Sequence, residues 1–162
     1  MSVMSPALRK ATLTVHVATS VGLLGAVLSF LILVTAGVLE AGAPGIRSIY
    51  ITANLIAERA ILPLILLSIL VGAAEGLWTP WGLFKHRWVL AKLVITVFAA
   101  LVLLAQMHPI GQLAGAALSG TPMDPGLQHR VIVHAAGGLL VLLLPLALSV
   151  YKPIGKFRWA VC

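Results

Sequence analysis

Apolar residues in this chain fall into four long runs, with almost no alternation between polar and apolar positions inside them. The runs extend from about Ala11 to Leu39, Ile49 to Leu77, Trp88 to Met107 and Val131 to Tyr151. Each reaches the length of about 20 residues that a helix needs to cross a bilayer. A helix satisfies its own backbone groups in lipid, so all four runs are read as helices. The expected fold is therefore an all-α membrane protein, an up-down four-helix transmembrane bundle forming a single transmembrane domain over residues 1–162. Polar breaks separate the runs. Glu40 to Ser48 carries Gly and Pro breakers, and Thr79 to Arg87 makes a tight turn. The longest break, His108 to Gln128, is bounded by Pro109, Pro122 and Pro125, and its apolar part, Ile110 to Leu118, is expected to lie along the membrane surface.

Charge gives the runs an orientation. Arg9, Lys10, Lys85, Arg87, Lys92, Lys152, Lys156 and Arg158 fall on one side of the spans, Arg47 and Arg130 on the other, and Arg59 within the second span. An excess of eight cations over two predicts that both termini are cytoplasmic. Trp78, Trp81, Trp88, Trp159 and Tyr151 collect on the same side, where amphipathic rings suit the headgroup level. The first apolar run, about 29 residues long, exceeds the 7–15 residues of a signal-peptide core, so it is expected to remain as a span.

Composition sharpens the class. Hydrophobic residues make up 60% of the 162 positions and charged residues 9%, and mean hydropathy is +1.09. Soluble domains carry about 25% charged residues, so a water-soluble core is excluded. The net charge of +7 is split among short segments, which fits topology and attraction to anionic lipid and argues against nucleic acid as a partner. The single cysteine, Cys162, excludes an intramolecular disulfide, a C-x-x-C redox pair and a thiolate zinc cage. No phosphate-binding loop, Ser–His–Asp set, close carboxylate pair or H-E-x-x-H motif is present.

The stretch TPWGLFKHRWVLAKLVIT, residues 79–96, and the exit SVYKPIGK, residues 149–156, resemble a group of uncharacterised bacterial four-helix integral membrane proteins. That resemblance implies a multi-pass topology in the bacterial cytoplasmic (inner) membrane and carries no activity. The first-span stretch VHVATSVGLLGA is similar to the first helix of the copper-resistance D-type membrane proteins, matched here at His16.

Ionisable residues inside spans are the functional candidates. The second span holds Glu58, Arg59 and Glu75. Arg59 and Glu75 are separated by about 24 Å of helix, less than a hydrocarbon core of about 30 Å, so at least one of these charges is submerged. Glu75 is expected to pair with Lys92 or Lys85. His16 shares a helix face with Thr12, Thr19 and Ser20. His134 has Gly137 and Gly138 one turn on, leaving room for a backbone or a flat ligand. His16 and His134 belong to opposite leaflets, about 18 Å apart along the axis, too far to share one metal. Haem b would require His134 with His108, or His16 with His86. Copper would draw on Met107, His108, Met123 and His129, since thioether and imidazole suit Cu(I). Pro63 and Pro145 are expected to kink their helices. Gly72 and Gly76 form a G-x-x-x-G face for close packing within or between subunits.

Three functions follow as alternatives. One is a packing or partner subunit in the lipid bilayer without its own catalysis, joined to a second copy or another membrane protein. Another is a haem- or copper-binding redox protein that uses the histidines. The third is a small proton or solute carrier built on Glu58 and Arg59.

Overall fold

A computed structural model describes residues 4–39, 45–78 and 86–151. The sequence expectations for Lys85, Trp81, Trp159, Cys162 and the basic tail fall outside these residues. The described chain is entirely helical: α1 (Pro6–Leu39), α2 (Ile46–Ile56), a π-helical turn (Ala57–Ile61), α3 (Leu62–Trp78), α4 (Arg87–Ser119) and α5 (Pro125–Tyr151). The segments α2, π turn and α3 run on as one rod, so four rods are long and apolar enough to cross a membrane. They pack in sequential order with α5 closing back on α1. Met4 N–H donates to the Trp78 carbonyl, and Tyr50 packs on Gly37, so neighbouring rods run antiparallel.

Local chemistry explains most of the helix ends. Ser5 caps α1, its Oγ accepting from Leu8 N–H, and Pro6 takes the first helical position, where a missing N–H does no harm. Asp124 and Pro125 repeat the arrangement at α5, with Asp124 Oδ1 accepting from Gly126 N–H at 2.9 Å. Gly120 ends α4 at φ 73°, and its N–H donates to the Ala116 carbonyl. A side chain is disfavoured there twice over, because an added Cβ would lie 2.7 Å from the Arg47 guanidinium.

The His108–Gln128 segment is not a loop. The α4 helix continues through His108 and Pro109 to Ser119, and α5 begins at Pro125, leaving a connection of Gly120 to Asp124. Ile110 to Leu118 does not lie along the membrane surface: Ile110, Leu113, Ala114 and Ala117 are buried, and this part of α4 packs against α2. A proline inside a helix costs about 3 kcal/mol, and burial of a further two turns outweighs it.

Pro63 acts through the turn before it. Proline cannot donate to the Arg59 carbonyl, and its ring crowds that oxygen. The chain widens instead, and Leu62 N–H donates to the Ala57 carbonyl five residues back.

Buried positions on α1 are Thr19, Leu23, Val27, Phe30, Val34 and Gly37, spaced by threes and fours. That spacing marks a seam of bundle packing. Small residues at the contacts, among them Ala53, Ala57, Ala99, Ala100 and Ala117, bring the backbones close. Large apolar side chains such as Leu70, Leu101 and Leu140 are instead exposed, the inverse of a soluble domain.

The rods of 33 and 34 residues are about 50 Å long, more than the ~30 Å of hydrocarbon. Exposed polar residues mark where the apolar belt ends. On the second rod, which spans Ile46–Trp78, Arg47, Ser48, Thr52, Glu58 and Arg59 are all exposed, and the stretch free of charges starts near Ala60. On α4 and α5 the belt stops near Met107 and Val131, although the helices themselves run on.

Candidate functional site

Glu75 and Lys92, both half-buried, face the same cavity. It has a volume of about 440 Å³, lies towards the Trp78 and Arg87 ends of the rods, and is lined by all four of them. Each helix contributes a stripe at helical spacing: His16 and Ser20 from α1, Ser68, Gly72 and Glu75 from α3, Trp88, Lys92 and Thr96 from α4, and Pro145 and Ser149 from α5. In lipid these polar side chains have no favourable direction except inward.

The side chains hold one another. The His16 ring lies against the backbone at Ser68, and its buried Nδ1 has no hydrogen-bond partner. Gly72 makes this approach possible, since a Cβ there would lie 3.0 Å from His16 Cε1. The face presented by Gly72 and Gly76 is thus used within the chain, to seat a ring. Ser20 Oγ and Ser68 Oγ are 3.2 Å apart and join α1 to α3. Thr12, whose hydroxyl donates to the Arg9 carbonyl at 3.1 Å, lies beside the Glu75 carboxylate, and Glu75 interacts electrostatically with Lys92. Lys92 also acts electrostatically on His16, and its Nζ stands 5.6 Å from the centre of the Trp88 ring, at cation–π distance. Thr96 Oγ1 donates to the Lys92 carbonyl at 2.8 Å, which keeps the hydroxyl satisfied inside the helix.

The other candidates are dispersed. Glu58 and Arg59 are both exposed on the π turn, at the edge of the apolar belt, and Glu58 Oε1 accepts from Asn54 Nδ2 at 3.1 Å. His108 and His129 are exposed, and Met107 and Met123 are half-buried. Gln128 Nε2 lies 3.7 Å from Met123 Sδ. His86 meets Trp88, with ring centres 6.2 Å apart. His134 lines a second, mostly apolar cavity beside Gly137 and Gly138, whereas His16 lines the first. Among the described residues no three His, Cys, Asp or Glu side chains gather closely enough to hold a metal ion.

Two groups of residues escaped the sequence reading. Ser68 and Thr96 are single hydroxyls in apolar runs; Thr96 lies one turn from Lys92 on the same helix, whereas the meeting of Ser68 with His16 appears only when the helices are docked. Gln106, a lone amide near the end of the third run, is buried in the wall of the second cavity. Its polarity in an apolar run was the available signal. Comparison of the chain with protein-family models, with curated proteins and with solved structures finds no match.

Proposed function

We propose that this protein is a small carrier whose vestibule takes up a proton, or a small polar solute together with one. The observation that carries the proposal is the meeting of His16, Glu75 and Lys92, from three different helices, in one cavity inside the apolar belt. Charges at this depth are expensive to keep, and they mark ion and proton pathways in membrane proteins. The carrier role assigned in sequence to Glu58 and Arg59 moves to these three residues, because the former pair is exposed at the belt edge. Buried Leu23 and Leu142 line the far part of the vestibule, so passage across the bundle requires this layer to part.

Proteoliposomes loaded with a pH-sensing dye test the proposal. The protein should dissipate an imposed pH gradient severalfold faster than protein-free liposomes. Glu75→Gln should return the rate to that of empty liposomes while the variant stays helical and monodisperse, and Arg59→Ala should leave the rate unchanged. A wild-type rate equal to that of empty liposomes would defeat the carrier and favour a packing or partner subunit.

The cation asymmetry supports an orientation with both termini cytoplasmic and the vestibule on the cytoplasmic side of a bacterial inner membrane. In intact cells an impermeant thiol reagent should miss Cys162 and label a cysteine introduced at Ser119. The reverse pattern would invert the orientation. The likeness of residues 79–96 to bacterial four-helix membrane proteins supports this setting and supplies no chemistry.

A further inference from the structure

The second cavity has different chemistry and no role in the carrier. It has a volume of about 380 Å³, within the range of small-molecule sites. Phe30, Ile61, Ile65 and Phe98 are among its apolar walls. Two lining residues, Phe98 and Val133, are 57% and 51% exposed on the outside of the bundle, so the cavity opens sideways between α4 and α5, into the lipid. The space beside its glycines is unfilled: a Cβ at Gly137 or Gly138 would meet nothing within 4 Å.

One feature of the wall is unsatisfied. Gln106 is only 6% exposed, and its Oε1 has no hydrogen-bond partner. A buried carbonyl oxygen without a donor is costly. The other polar side chain in the wall is His134, whose Nδ1 lies 2.7 Å from the Arg130 carbonyl. A carbonyl only accepts, so Nδ1 carries a proton, and a ring with that single proton offers Nε2 as an acceptor. The wall therefore offers two acceptors among apolar surfaces. An occupant that suits it has a compact apolar body and hydroxyl groups that donate. The open glycine side and the phenylalanine rings fit a flat body better than a branched one.

We propose that this cavity is a binding site for a lipid-soluble aromatic diol of the hydroquinone class, which enters from the bilayer and donates a hydroxyl to Gln106 Oε1. The second hydroxyl, or the ring edge, is turned towards His134. The proposal concerns binding alone and stands apart from the carrier, because none of these polar groups lines the vestibule.

The test uses the full chain in lipid nanodiscs, kept anaerobic, with tetramethylhydroquinone as probe and, for comparison, its dimethyl ether, which is larger by one methyl on each oxygen and has no O–H donor. Binding is read by ligand-observed NMR. The diol should bind saturably, and the ether at least tenfold more weakly, the factor expected for one lost hydrogen bond. Gln106→Leu should weaken the diol about tenfold and leave the ether unchanged. Gly138→Leu should abolish binding by filling the space, while Gly111→Leu, at an exposed glycine away from the cavity, should not. Equal binding of diol and ether would overturn the proposal. So would uptake that never saturates, as for an acyl chain or simple partition. A change of oligomeric state in Gly138→Leu would overturn it as well, by showing that a second copy fills the cavity. If Gly138→Leu fails to fold, the ether and Gln106→Leu decide the matter alone.

Discussion

Tyr50→Ala should destabilise the bundle by about 3–5 kcal/mol, the range for truncating a large buried aromatic side chain. The ring is 2% exposed and fills the space left by Gly37, whose missing Cβ would lie 2.8 Å from Cζ. Gln128 Nε2 donates to the Tyr50 hydroxyl at 2.6 Å. One side chain thus ties α2 to α1 and to α5, at the end of the bundle where the Gly120–Asp124 connection is short. Truncation opens a cavity and removes the partner of Gln128 together. Tyr50→Phe keeps the packing and should cost only about 1 kcal/mol, the worth of one hydrogen bond between helices. Thermal and denaturant unfolding in detergent separate the two variants. Equal stability of Tyr50→Ala and the wild type would show that the α1–α2–α5 junction does not hold the bundle.

Breaking the Glu75–Lys92 pair from either side should cost about 1–3 kcal/mol. A fully buried ion pair that loses one partner costs about 3–5 kcal/mol, and these two are only half-buried beside an open cavity. Glu75→Gln leaves Lys92 facing Trp88 and His16 without the nearby carboxylate charge, and Lys92→Met takes that cation away from Glu75. The double variant should recover most of the loss, because no charge then remains uncompensated. A coupling of about 1 kcal/mol or more in the double-mutant cycle is the expected result. Strictly additive losses would mean that the two charges are solvated independently and that the vestibule is no more than a wet cleft.

The four rods were legible in the sequence because lipid imposes a simple rule. Unbroken apolar length suffices, since no backbone group can be left unpaired in hydrocarbon. The same rule hides the interior. In a soluble helix the apolar face names the core, but here both faces are apolar, and Leu23 inside reads like Leu70 outside. Only polar and small residues break that degeneracy. His16 and its threonines and serine announced an inward stripe, and the interval from Arg59 to Glu75 announced a submerged charge. Which of the two is submerged could not be read from the interval, because it depends on where the belt begins. In the docked bundle Arg59 is exposed, while Glu75 is half-buried in the wall of the vestibule.

Prolines misled for a related reason. Pro109, Pro122 and Pro125 cluster as loop residues do, yet Pro109 is buried in mid-helix and Pro125 opens α5 at the position where a missing N–H is harmless. A local penalty of about 3 kcal/mol is decisive only when nothing packs on the turns beyond it. The sequence by itself thus determined the class, the number of rods and the inventory of polar groups, each a property of one segment in one solvent. The tertiary structure alone decided that α4 runs on to Ser119, that Gly72 seats the His16 ring, that Gln106 stands unpartnered in an apolar wall, and that His16, Glu75 and Lys92 share a cavity. These depend on the rotation and depth of one helix against another, which the close packing of small side chains sets and uniform hydropathy does not record.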